Sequence, residues 1–273
     1  PEQPATDLPE PTIEVATATT APTATLAEAA TATAAPTATL AATATTAAAT
    51  ATATASGSAT QTSPGADVYY DDRSDARTLV LSYVNALARH EPLRAHGYWR
   101  DSTDRPAFAD IEQEFMDLTG ASVEIGAILA DAGAGQRYFA VPALVTLNRD
   151  SGNEVEADCF YLHLASPDLQ AEPPFRPLGL ERLTRQPLTE SSNAANALAT
   201  ACPADAGGPM NPLPTFDQAD ISAERYLDDR SDATQILRSL FNAVNRQEFA
   251  RAYSYWDPSS PEIKPFDVFA AGY

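Results

Sequence analysis

The apolar positions of this chain recur at two different periods, and the change between them separates helices from strands. Leu79, Val80, Tyr83, Val84 and Leu87 form one stripe at helical spacing, which predicts a helix running to about residue 90. A short second helix is expected over 94–99 (RAHGYW), ending on an aromatic pair, and a third over 108–118 (FADIEQEFMDL). From Ala121 the pattern changes to that of strands: ASVEIGAILA, RYFAVPALVTLN, EVEADCFYLHLA and, after the Pro-rich loop SPDLQAEPPF, RPLGLERLTR. The tight turns DAGAGQ at 131–136 and RDSGN at 149–153 join consecutive strands, so an antiparallel meander is expected. Pro142 lies inside the second strand and predicts a bulge or an edge there. The expected unit is an α+β domain over residues 67–186, three helices packed on a curved antiparallel sheet.

The chain also repeats itself. Tyr69 to Trp99 (YYDDRSDARTLVLSYVNALARHEPLRAHGYW) and Tyr226 to Trp256 (YLDDRSDATQILRSLFNAVNRQEFARAYSYW) agree at 16 of 31 positions, at a constant offset of 157 and without a gap. One domain type is therefore expected twice, with Ile236, Leu237, Leu240, Phe241 and Val244 repeating the first helical stripe. Each copy opens on DDRSDA. Asp72 or Ser74 is placed to cap the first helix, and Asp75 sets negative charge at the positive end of its dipole. The same string lacks the glycine and distal glutamate of a calcium loop, so capping is the better reading. The second copy, 224–273, reaches AAGY at the level of the third helix, so it is expected to be truncated, helical and loosely packed, or to lean on the first. Residues 187–223, rich in Pro, Ala and Ser, read as a linker.

A long helix, a short helix ending in aromatics and then a bent sheet resemble the nuclear-transport-factor-two-like cone fold. That superfamily includes ketosteroid isomerases, scytalone dehydratase and the SnoaL-like polyketide cyclases. The string DDRSDA…YxNAxxRxE…RAxxYW is also similar to that of an exported bacterial family of this fold, with single or tandem domains behind Thr/Ala/Pro-rich tails. The resemblance covers 67–186 and part of 224–273, and it implies a fold and export but no particular chemistry.

Composition bears on location. In residues 1–60, 46 are Ala, Thr or Pro, and APTATLA occurs at 21–27 and 35–41. With little to bury and prolines to interrupt helices, 1–66 are expected to be a disordered tether of the kind that holds exported domains off a cell surface. A cytosolic disordered tail is the alternative. The chain begins at Pro1, so a removed secretory signal or a lipid-modified cysteine is expected upstream. Sixteen arginines to one lysine, Lys264, suggest a GC-rich, bacterial source. The net charge of −20 argues against nucleic acid and anionic lipid as partners, and no apolar run is long enough to span a bilayer.

Cys159 and Cys202 make an even pair, and in an exported chain a disulfide between them is expected, against two reduced thiols or an intermolecular bridge. No metal or cofactor is expected. Tyr83, Tyr98, Trp99, Phe115 and Tyr138 are candidates to line a hollow between helices and sheet, although residues at such spacing are more often plain core. Isomerases and cyclases of the resembled fold need a carboxylate or histidine base with acidic donors. Asp110, Glu156, Asp158 and His163 are at hand, and Asp110 and His163 are taken as the catalytic candidates. On the third strand His163 shares a face with Val155, Ala157, Cys159 and Tyr161, and Glu156 and Asp158 take the other, which splits acid from base. His90 and His96 become Gln247 and Tyr253 in the second copy, so no histidine mechanism is shared. GxSxG, HExxH and phosphate-binding glycine loops are absent from the sequence. The expected function is an exported, surface-tethered, non-enzymatic module that binds a small apolar molecule or a protein partner. The alternatives are a cyclase, isomerase or dehydratase acting on an apolar ring, and a structural spacer whose two copies pair as an intramolecular pseudo-dimer.

Overall fold

A computed structural model describes residues 64–210 and 220–273 of the chain. The tether expected over 1–66 falls outside the described residues, apart from its last three. In chain order the elements are α1 (Ala76–Ala88), α2 (Pro92–Gly97), α3 (Phe108–Glu114), β1 (Leu118–Ile125), β2 (Leu129–Gly133), β3 (Gln136–Arg149), β4 (Gly152–Ala165) and β5 (Gly179–Pro187). They continue with α4 (Ala194–Thr200), β6 (Gly208–Pro209), α5 (Ala233–Asn245), α6 (Phe249–Tyr253) and α7 (Phe266–Ala270). The class is α+β, with a six-stranded open antiparallel sheet in the order β5-β4-β3-β2-β6 and β1 also paired to β3.

The sheet is built on the β3–β4 hairpin, which pairs without interruption from Gln136↔Ala165 to Arg149↔Gly152. The strand expected over 121–130 is two strands. β1 lies along the second half of β3 (Ile125↔Ala143), β2 lies along the first half (Leu129↔Ala140), and the chain steps across between them. Pro142 causes the step. Its carbonyl accepts from Gly126 N–H at 2.8 Å, so its side without an N–H faces the gap between β1 and β2, and no rung to β4 is lost.

The inner face of the sheet carries Val141, Val145, Phe160 and Leu162, which bury against Leu79, Val80 and Val84 of α1. The outer face carries Cys159, bonded to Cys202 with 5.0 Å between Cα atoms. A disulfide fits an extracellular protein. The expected linker is thus partly ordered: Leu198 of α4 packs against Pro142 and Gly126, and β6 adds a rung to β2. No helix among the described residues is long and apolar enough to cross a membrane.

Both DDRSDA strings start helices, but the cap is Asp75 in α1 and Asp232 in α5. Asp75 Oδ1 accepts from Thr78 N–H at 2.9 Å, and Thr78 Oγ1 accepts from Asp75 N–H at 3.1 Å, a reciprocal box. Asp72 and Ser74, expected as caps, are engaged elsewhere: Asp72 Oδ1 accepts from Ser74 N–H, and Ser74 Oγ accepts from Asp228 N–H.

The identical residues of the repeat form one polar network in each segment. Asn85, fully buried, accepts from Tyr70 N–H at 3.1 Å and from Arg94 Nη2 at 2.9 Å, and donates to Val68 C=O at 2.9 Å. Asn242 repeats this with Leu227 N–H, Arg251 and Arg225 C=O. Arg94 is held by Glu91, as Arg251 is by Glu248. Ser82 takes Asp72 N–H and Ser239 takes Asp229 N–H. Arg73 lies over the ring of Tyr98 and Arg230 over that of Tyr255.

The two strings also meet each other. Arg73 N–H donates to Asp228 C=O at 2.8 Å, and Arg230 N–H donates to Asp71 C=O at 2.7 Å. Asp71 N–H donates to Ser231 Oγ at 3.0 Å, and Asp228 N–H donates to Ser74 Oγ at 2.9 Å. Asp72 and Asp229 face one another as an isolated antiparallel bridge. No strand occurs among residues 220–273. Leu237 and Phe241, the counterparts of Val80 and Val84, are 55% and 50% exposed where those are buried.

Two outcomes are expected in urea unfolding. Replacing both cysteines by serine opens a cross-link 43 residues long and lowers stability by ~4 kcal/mol in the chain-entropy picture. Asn85→Ala strands the Tyr70 N–H and the Val68 carbonyl and costs about 2–4 kcal/mol. A midpoint unchanged by Asn85→Ala would mean that the network contributes nothing.

Candidate functional site

Between α1, α3 and the inner face of the sheet lies a narrow hollow. Tyr83 and Leu87 line it from α1, Glu114 and Phe115 from the end of α3, and Glu156, Asp158 and Phe160 from β4, with Arg185 from β5. The alternation of β4 puts Glu156, Asp158, Phe160 and Leu162 on this face. A one-residue bulge brings Arg185 into the hollow: Leu162 pairs with Leu180 and Phe160 with Leu183, so β5 carries three residues where β4 carries two. Arg185 therefore stands opposite Asp158 and forms a two-pronged ion pair with Glu114, at 2.9 and 3.1 Å.

Asp158 is the electrostatic centre of this arrangement. It is 2% exposed, and its Oδ1 has no hydrogen-bond partner. Burial, followed by the neighbouring Glu156 carboxylate, pushes its pKa from 3.8 up to about 8, with Arg185 opposing and Glu114 adding to the rise. Glu156 is raised as well, chiefly by burial. Burial raises the Tyr83 hydroxyl, and Arg185 opposes the rise. At neutral pH Asp158 is thus an acid holding its proton, beside a cation and a phenol. The space around them is about 20 Å3, enough for one water and no organic ring.

The sequence candidates divide between the two faces of the sheet. Tyr83 and Phe115 line the hollow, and Tyr83 meets Phe160 and Tyr98 edge to face at 5.9 and 6.4 Å. Tyr98 is buried with its hydroxyl accepting from Arg94, and Trp99 is buried where residues 98–100 pair with the start of β5. Gly179 admits that pairing, since a Cβ there would stand 3.0 Å from Tyr98 C=O. Tyr138 and His163 lie on the outer face, stacked at 4.6 Å, with His163 bonded to Gln136. Burial and then Arg100 push the His163 pKa down. Asp110 stands exposed in the first turn of α3. Neither Asp110 nor His163 lines the hollow, which gathers Asp158, Glu156, Glu114 and Arg185 instead. Glu114 and Arg185 were not foreseen. Arg185 reaches the hollow only through the bulge, for which the sequence carries no glycine or proline signal.

A second, more open cleft of about 380 Å3 lies between the start of α1, the sheet and residues 224–226, bordered by Ser74, Arg137, Phe139, Met210, Tyr226 and Arg246. Among the described residues no cluster of three or more His, Cys, Asp or Glu side chains could hold a metal ion. Compared with protein-family models, with curated proteins and with solved structures, the chain matches none.

The folded state holds the Asp158 proton more tightly than the unfolded chain does, so this group's effect on stability is neutral below about pH 4 and unfavourable as pH rises towards 8. Asp72, raised to about 7 by burial and then by Asp229 and Asp75 against its bonds to Ser74, acts in the same direction. Asp158→Asn is therefore expected to gain stability over the parent between pH 4 and 8, by at most ~1.4 kcal/mol per pH unit, with no gain below pH 4. Urea midpoints over that range check it, and parallel curves would place an ordinary, ionised carboxylate at Asp158.

Proposed function

We propose that this chain is an exported, surface-tethered, non-enzymatic module of cone type, whose contacts are with protein rather than with a ring compound held inside it. One observation carries the reading: the hollow between helices and sheet has room for about one water, whereas pockets for organic ligands measure about 300–1,000 Å3. The disulfide, the Ala/Thr/Pro-rich stretch of residues 1–60 and the resemblance to exported cone domains support the location. The repeat supports the non-enzymatic part. Its identical polar residues tie backbone to helix and string to string, and Tyr83, which lines the hollow within the repeat, is Leu240 in the second segment.

A second reading has its own support. Asp158 is a buried acid with a free oxygen beside Arg185 and Tyr83, the donor set that a SnoaL-like cyclase, isomerase or dehydratase requires. The full chain separates the two when incubated with apolar polycyclic ketones. No turnover, and a native mass equal to the denatured mass, is the expected result. Turnover abolished by Asp158→Asn but kept in Asp110→Asn would overturn the first reading in favour of the second.

A further inference from the structure

We propose that the pairing of Asp71–Ser74 with Asp228–Ser231 is a homotypic docking site, which closes between two chains as it closes within one. The partner of either loop is then a second copy of this chain. The proposal rests on the reading of the protein as an interaction module and names that module's partner.

Reciprocity is the first argument. Each of the four bonds across the pairing has its mirror image at an offset of 157: Arg73 N–H to Asp228 C=O answers Arg230 N–H to Asp71 C=O, and Asp71 N–H to Ser231 Oγ answers Asp228 N–H to Ser74 Oγ. The residues supplying these groups are identical in the two loops. Loop 71–74 therefore offers to a copy of itself the same donors and acceptors that it offers to loop 228–231. A surface of this kind is isologous, the self-complementary geometry of two-fold association.

Preorganisation is the second. Each loop is shaped by its own segment before it meets the other. Asp72 is bound at its N–H by Ser82 and Asp229 by Ser239. Asp72 and Asp229 carboxylates take the N–H of Ser74 and Ser231, at 2.9 Å each. Arg73 is paired with Asp71 and Arg230 with Asp228, at 3.0 and 2.8 Å. Little ordering remains to be done on docking.

The third argument is that the two segments are not fused by a common core. The exposed Leu237 and Phe241 of α5 take no part in the main core, to which the second segment adds only the partly buried Tyr226. The loops therefore supply the backbone and hydroxyl hydrogen bonds of the association, beside the packing of Tyr226. A cis partner has the advantage of high effective concentration. Display of many chains on one surface gives the trans partner a comparable advantage. Net charge opposes the meeting of two chains at low salt, so docking in trans strengthens as ionic strength rises.

Cysteine trapping tests this on the full chain. Asp72 and Asp229 face each other between the two backbone bonds, the closely spaced kind of antiparallel pair that a disulfide can span. Asp72→Cys with Asp229→Cys in one chain is expected to close an internal bond, seen as a monomer in non-reducing electrophoresis and located by peptide mapping. A mixture of D72C chains with D229C chains is expected to give covalent dimers at least about tenfold above those from chains that carry only the exposed Glu190→Cys, and more at high salt. Dimer yield no higher than that control would overturn the proposal, and so would failure of the internal bond in the double variant. Neither result bears on turnover, so the proposed non-enzymatic function is tested separately.

Discussion

The unbroken ladder between β3 and β4 is the constraint on which the rest of the fold depends. Fourteen residue pairs fix which side chains face α1 and which face outwards, and a slip of one residue would exchange the two sets. The inward set contains the aliphatic core and both buried acids, and the outward set contains Cys159 and His163. Every other strand takes its place from this hairpin. β1 and β2 divide one flank of β3 at Pro142, and β5 follows the other flank of β4 until its bulge re-aims Arg185. Glu156 and Asp158 are thus placed by strand register, which explains how Asp158 can be held so far from water.

The repeat has a different logic. In soluble domains a repeated motif invites a search for a repeated active site, but here the identical residues satisfy buried backbone. Asn85 and Asn242 each supply the acceptor and donors that the preceding irregular segment lacks, and Arg94 and Arg251 add to the same knots. A buried segment without regular structure must find partners for its N–H and C=O groups, and a fully buried asparagine is a compact way to provide them. The hydrophobic residues of the two segments are free to differ because packing tolerates exchange, whereas a hydrogen bond of fixed length does not.

Much of this was legible in the chain. The helical stripe of α1, the meander, the turn at 149–153 and the facing of Glu156 and Asp158 all follow from period and turn chemistry. The disulfide between Cys159 and Cys202, expected from compartment and parity, is formed. What could not be read are features decided by tertiary contact. Asp75 rather than Asp72 or Ser74 became the cap because the other two were drawn into Asx and inter-segment bonds. Pro142 predicts a bulge or an edge in its own strand, but β3 is central and unbulged against β4, and the irregularity falls instead between β1 and β2 on its other flank. Asp110 is a candidate base as one of the domain's carboxylates, yet it stands exposed in the first turn of α3. Ala/Ser/Pro-rich composition suggested a linker, and a disulfide with one leucine was enough to order part of it.

The sheet also bears on how such chains behave when crowded. An open antiparallel sheet exposes unpaired amide edges, and those are the usual starting points of fibrillar growth. Here one edge begins under residues 98–100 and the Ser102 hydroxyl, which occupies Glu181 C=O at 2.8 Å, and it ends in Arg185 and Pro187. On the opposite flank β6 is two residues long and ends in Pro209. The rest of that flank is β1, whose eight residues pair with β3 and with no other strand among the described residues, so β1 is the margin left open to an incoming strand. Packed densely, these molecules are guarded against strand addition at β5 and β6 and are open to it along β1.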